Sequence, residues 1–162
     1  MNQIKLVLGV HPTSRGFGWA LFESPIQPLF WGIVETRTHR NRDALAAFRV
    51  LLDRYQPEML AMEQFEHRPA RRNGRIKKLG AALVALAHKQ GLQSAILPRA
   101  AIGIIIAQDS TATRYEIAQT IANKVEALAY RMPAKRKPWE SEKPNLSIFS
   151  AAACALTWYA NH

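Results

Sequence analysis

The sequence predicts an α/β fold built on a five-stranded mixed sheet, with three antiparallel strands first, parallel strands after them, and helices on its faces. Three observations carry this. Three strand-like runs fill residues 4 to 35, helix-period and short apolar runs then alternate up to residue 97, and only helix-period segments follow. At 162 residues and 48% hydrophobic, the chain can bury a core without disulfides. It shows no internal repeat or long linker, so residues 1–162 are read as a single domain.

Ile4 to Val10 is a short apolar strand of the kind buried on both faces, and Pro12-Thr13-Ser14-Arg15-Gly16 is turn chemistry. Gly16 to Glu23 is rich in aromatic residues and ends before a turn marked by Pro25 and Pro28, after which Leu29 to Glu35 completes a meander. Asp43 to Tyr55 places Leu45, Phe48, Leu51 and Leu52 at helical spacing, and Pro57 closes that helix. Glu58 to Glu63 follows a crossover helix and should run parallel to the first strand, which brings Val10-His11 and Glu63 together. Ile76 to Lys89 is a second helix, apolar nearly all round from Leu79 to Ala87. Such a helix needs two buried faces, one on the sheet and the other against a second copy of the chain or a further layer of the same one. Gly91 stops it, and Gln93 to Leu97 is the fifth strand. Pro98 opens a helix to about Gln108, another spans Thr113 to Tyr130, and a flexible basic loop with three prolines fills Arg131 to Pro144. Leu146 to Ala160 is the last helix. This order, β-β-β-α-β-α-β-α-α-α, is that of the ribonuclease H-like fold.

The 22 Lys and Arg against 12 Asp and Glu give a formal charge of +10, which favours a polyanionic partner. The single cysteine, Cys154, excludes a disulfide framework and a cysteine-rich zinc site and fits a reducing cytoplasm. No apolar run nears the ~20 residues that span a bilayer, and the chain opens on a strand-like segment without a charged leader. A soluble, cytoplasmic protein with no membrane partner is expected.

Five segments resemble the RuvC-type Holliday-junction resolvases: LGVHPTSRGFGWALFE, LAMEQFE, KKLGAALVALAHKQG, PRAAIG and SAAACALTWYANH, in the family's order along the chain. The resemblance implies a ribonuclease H-like domain and branched or otherwise distorted DNA as partner, and the apolar helix at 76–89 adds the expectation of a homodimer. In that family an Asp on the first strand, a Glu on the fourth and two Asp on the last helix gather two magnesium ions. The corresponding positions here are His11, Glu63, Ala151 and Cys154, so one carboxylate of four is present. Two-metal hydrolysis needs hard oxygen ligands holding cations about 4 Å apart, and magnesium is poorly served by imidazole. Nuclease activity is therefore expected to be lost or much reduced, with no cofactor. The alternative is an active endonuclease with a remodelled site in which His11 and Glu63, with Glu66 or Asp109, bind manganese or zinc, or retain magnesium. Cys154, in an apolar helix, is a poor nucleophile.

For nucleic-acid binding, the candidates are Arg68, Arg71, Arg72, Arg75, Lys77 and Lys78, in a run without an acid directly after the strand bearing Glu63. Phe65 stands one position before the family's aromatic wedge, and Arg114 matches a basic position that meets DNA backbone in the family. A lysine the family carries soon after Pro98-Arg99 is replaced by Ala or Ile. Trp19, Trp31 and Trp158 read as core, whereas Trp139, in the basic loop, is free to stack on a base or dock a partner. A third reading keeps the fold as a protein-interaction scaffold, with Trp139 and the apolar helix as its surfaces.

Overall fold

Alternation of side chains along the first strands decides the layers. In the computed structural model, which describes residues 5–37, 41–65 and 71–162, with backbone only for Arg71, Arg72 and Asn73, β1 (Val7–Thr13), β2 (Gly16–Ser24) and β3 (Gln27–Glu35) form the meander. After α1 (Asn41–Tyr55), β4 (Met59–Glu63) pairs parallel to β1, and after α2 (Arg71–Lys89), β5 (Gln93–Leu97) pairs parallel to β4. The sheet order is β3-β2-β1-β4-β5. Then come α3 (Arg99–Ala107), α4 (Arg114–Lys124), a 3₁₀ segment (Glu126–Arg131) and α5 (Leu146–Ala160). The architecture is the five-stranded mixed sheet read from the sequence.

Leu8, Val10, Phe17, Leu21, Leu60 and Met62 face one way and pack under α1 and α2 on Phe48, Leu52, Leu79 and Leu83. Val7, Ala20, Phe22, Met59 and Ala61 face the other way, under α3, α4 and α5. α5 is buried almost all round, and its approach to the sheet is set by glycine. A Cβ at Gly9 would overlap the carbonyl oxygen of Ala151, and one at Gly18 would overlap Ser147. The Tyr159 hydroxyl reaches the Phe22 carbonyl at 3.1 Å and also meets that of Lys5, tying the end of α5 to the sheet.

Several boundaries differ from the sequence reading. β1 continues through His11 and Pro12 to Thr13, because both residues keep antiparallel partners, Gly18 and Phe17. Its pairing with β4 ends at Val10, so Pro12, which has no N–H, needs no partner on that side. α2 begins at Arg71 rather than Ile76, so Arg71, Arg72 and Arg75 lie on the helix with Lys77 and Lys78 and not ahead of it. Ile76, Leu79, Gly80 and Leu83 extend one apolar stripe back into the basic run. The helix expected over Thr113 to Tyr130 breaks at Val125, whose φ of −112° and ψ of 88° are not helical. Thr113 starts it with a capping box to Glu116. Trp19 and Trp158 are buried as read, whereas Trp31, read as core, is half-buried and packs at the edge of the core. Among the described residues, no helix is long and apolar enough to cross a membrane.

Candidate nucleic-acid interface

Parallel pairing of β1 and β4 brings their carboxyl ends to one edge of the sheet. His11 and Glu63 each stand one residue beyond the Val10–Met62 pair, and His11 Nδ1 lies 3.9 Å from Glu63 Oε2. β5 ends beside them, since Leu97 pairs with Glu63. Pro98 then turns the chain into α3, so Arg99 stands at the helix start with Nη1 3.9 Å from Glu63 Oε1. Arg114, the first residue of α4, enters from the far side and pairs with Glu142 at 3.3 Å. These groups form the floor of an open cleft of about 1260 Å³. Its walls are Ser14 and Arg15 of the β1–β2 turn, Ile76 and Lys77 of α2, the stretch Glu140 to Pro144, and Ser147. Ser147 Oγ donates to the Pro144 carbonyl at 2.7 Å.

The floor is a set of ion pairs and not an acid cluster, with Arg99 beside Glu63 and Arg114 beside Glu142. His11 is only 4% exposed and its Nδ1 has no hydrogen-bond partner. Burial first, then the positive charges of Arg114 and Arg99, push its pKa down to about 3, so it is neutral at physiological pH. The sign of the linkage follows: between about 3 and the unfolded value of 6.5 the unfolded chain binds a proton that the folded chain refuses. His11 therefore contributes stability above pH 6.5 that declines as pH falls toward 3. Urea unfolding from pH 7 to pH 4 is expected to show a steeper loss of stability in the parent than in a His11→Asn variant. Parallel profiles would mean that His11 titrates normally.

Burial also pushes the Cys154 thiol up, well above the usual range, with the Glu63 charge adding to the effect. Cys154 and Ala151 are both buried and neither lines the cleft. Fit to a metal pair fails on the chemistry of the donors. Of the four carboxylates lining the cleft, Glu142 is paired with Arg114 and Glu140 with Lys143, Glu35 lies on the wall, and Glu63 stands beside a neutral imidazole and the Arg99 guanidinium, so a cation pair at Glu63 would compete with Arg99 for one carboxylate. Among the described residues, no three His, Cys, Asp or Glu side chains are grouped to hold an ion. The expectation that Asp109 could join such a site is corrected: its carboxylate accepts from Thr111 N at 2.8 Å and Thr111 Oγ1 at 2.7 Å in the α3–α4 turn, away from the cleft. Glu66 and Arg68 lie outside the described residues, as do the side chains of Arg71 and Arg72.

Of the other sequence candidates, Lys77 and Arg114 line the cleft, while Arg75 and Lys78 are exposed on α2 and do not. Phe65 is half-buried and at the cleft wall, and its ring lies where a Cβ on Gly80 would fall, so it packs on α2 as well as facing the opening. Sequence reasoning missed Arg15, Arg99, Lys143 and Ser147. Arg99 was visible in the Pro-led helix start, which fixes a residue at the carboxyl end of β5.

Sheet order and helix layers are those of the ribonuclease H-like fold. No family model and no curated protein matches the sequence. The fold is that of solved resolvases. The chain superposes on the structure of Thermus thermophilus RuvC with a TM-score of 0.68 at 18% identity, covering 96% of this chain and 95% of that one. T. thermophilus RuvC in complex with Holliday junction substrate gives the same TM-score and identity over 94% and 92% of the two chains. The crystal structure of the yeast mitochondrial Holliday junction resolvase gives 0.61 at 15% identity, over 97% and 80%.

Proposed function

We propose that this chain is a RuvC-like nucleic-acid-binding protein that recognises branched or distorted DNA and has lost, or nearly lost, metal-dependent nuclease activity. The observation that carries this reading is the cleft floor, where Glu63 stands between His11 and Arg99, with Arg114 beside His11. Guanidinium groups there suit a phosphodiester bound directly, without metal ions between protein and phosphate. Arg15, Lys77 and Lys143 on the walls add cations among Glu35, Glu140 and Glu142, and a solved neighbour of this fold was captured with a junction in place. A homodimer through α2 belongs to the same reading: Ala81 and Ala85 leave its outer face small and apolar.

The test is electrophoretic binding to a four-way DNA junction and to linear duplex of the same sequence, each with magnesium and with chelator. Junction binding at least tenfold tighter than duplex binding, unchanged by chelator and without cleavage, is the expected result. Equal affinities would remove the structure-selective part. The stoichiometry of the shifted complex, two chains or one, reports on the dimer.

A second reading, an endonuclease with a reshaped metal site, draws on the unpartnered Nδ1 of His11 directed at Glu63. Junction cleavage in manganese that vanishes in Glu63→Gln would establish it and displace the first.

A further inference from the structure

The basic segment Arg131 to Pro144 was expected to be a flexible loop, yet its tip is a built turn. Glu140 N donates to the Lys137 carbonyl at 2.9 Å, and Lys137 N donates to Glu140 Oε1 at 3.3 Å. Arg136 Nη1 donates to the Glu140 carbonyl at 2.8 Å, and Lys143 Nζ to Glu140 Oε2 at 3.0 Å. Four hydrogen bonds thus converge on one residue. Held at the centre of this turn, Trp139 is 78% exposed, although indole is among the side chains with most to gain from burial. Lys137 Nζ sits 5.4 Å from the ring centroid, against one face of the indole. The stretch that follows, Glu140 to Pro144, is itself the edge of the cleft.

We infer that Trp139 is a stacking platform for an unpaired nucleobase, presented at the cleft edge by the Lys137 to Glu140 turn, with Lys137 neutralising the phosphate next to that base. The inference deepens the DNA-binding reading and rests on it. A nucleic acid is favoured over a protein by what surrounds the ring. A Trp that anchors a protein partner needs apolar neighbours to exclude water, whereas Trp139 is preceded by Lys135, Arg136 and Lys137. A cation held against one face of an exposed indole suits a base stacked on the other face with its phosphate beside the cation. Distorted DNA supplies unstacked bases that intact duplex does not, so the platform adds to structure selectivity, which charge alone does not provide.

The experiment uses the full chain and three DNA probes: a four-way junction, a single-stranded oligothymidylate, and an abasic strand with the same number of phosphates. Trp139→Ala is expected to weaken binding to oligothymidylate about tenfold or more, because stacking on one base typically carries that much. Trp139→Phe should retain most of the affinity, and Trp139→Ala should bind the abasic strand as the parent does. The emission difference between parent and Trp139→Phe isolates this indole from Trp19, Trp31 and Trp158, and oligothymidylate should quench it while the abasic strand does not. Equal weakening of Trp139→Ala on based and abasic strands, or emission that DNA leaves unmoved, overturns the inference. If junction binding persists in the parent while those results appear, the platform is wrong and the DNA-binding reading stands. If the parent binds none of the three probes, both fall.

Discussion

Gly9→Ala is expected to cost the fold roughly 3 kcal/mol or more, a large effect for the addition of one methyl group. The new Cβ would meet the carbonyl oxygen and carbon of Ala151 and approach Ala155 Cβ at 3.4 Å. Two of these three atoms are backbone, so no rotamer change relieves the overlap, and α5 must lift from β1. That movement would strip contacts from Phe149, Ala152 and the other α5 residues buried against the sheet. It would also displace Ser147, one turn earlier on the same helix, from the cleft. Gly74→Ala is the matching control, since among the described residues a Cβ there meets nothing within 4 Å and the position is exposed on α2. There the same substitution should be neutral or stabilising by about 0.5–1 kcal/mol, through helix propensity and a less mobile unfolded chain. Urea midpoints and thermal melts decide it, with Gly9→Ala lowering the melting temperature by on the order of 10 °C. A Gly9→Ala protein as stable as the parent would mean that α5 is not seated as described.

Junction affinity is expected to fall about 10³-fold between roughly 50 and 200 mM salt, as for a protein that neutralises about six phosphates. The cations that would make those contacts are Arg15, Lys77, Arg99, Arg114 and Lys143 in the cleft, with Arg75 or Lys78 on the exposed part of α2. Released counterions, rather than the contacts as such, set the slope, so each contact removed makes it shallower by about one. Arg99 and Arg114 are the decisive pair because they stand over the floor beside His11 and Glu63. The double variant Arg99→Gln with Arg114→Gln should weaken junction binding and flatten the log–log slope by about two, while the same changes at exposed Arg54 and Lys124 leave both untouched. A slope near zero in the parent would remove backbone phosphates as the main ligand. A slope unchanged in the double variant would move the contact surface away from this cleft.

Much of the fold was legible because it rests on local periodicity. Leu8, Val10, Phe17 and Leu21 against Val7, Ala20 and Phe22 give the two faces of the meander, and Phe48, Leu51 and Leu52 give the stripe of α1. The errors fell where a local signal met a tertiary one. Pro12 looked like a turn residue and is in a strand, because it keeps Phe17 as its antiparallel partner while the pairing of β1 with β4 has already ended at Val10. The Arg71 to Arg75 stretch was left ahead of the helix because of its charge and is helical, with Ile76 continuing the apolar stripe of Leu79 and Leu83. Asp109 looked like a free carboxylate and closes a turn with Thr111.

The amino-acid sequence by itself determined the class of fold, the pairing of β1 with β4, and hence the meeting of His11 and Glu63. These follow from hydrophobic period and the handedness of crossovers, which act between residues close along the chain or in consecutive elements. Only the tertiary structure decided that Arg99 and Arg114 converge on that pair, that Glu142 partners Arg114, and that Ser147 rather than Ala151 or Cys154 faces the cleft. The physical reason is distance along the chain. Where a helix start points depends on how α3, α4 and α5 pack on one another and on the sheet, and that packing is set by contacts between distant residues such as Gly9 and Ala151, which no local pattern encodes.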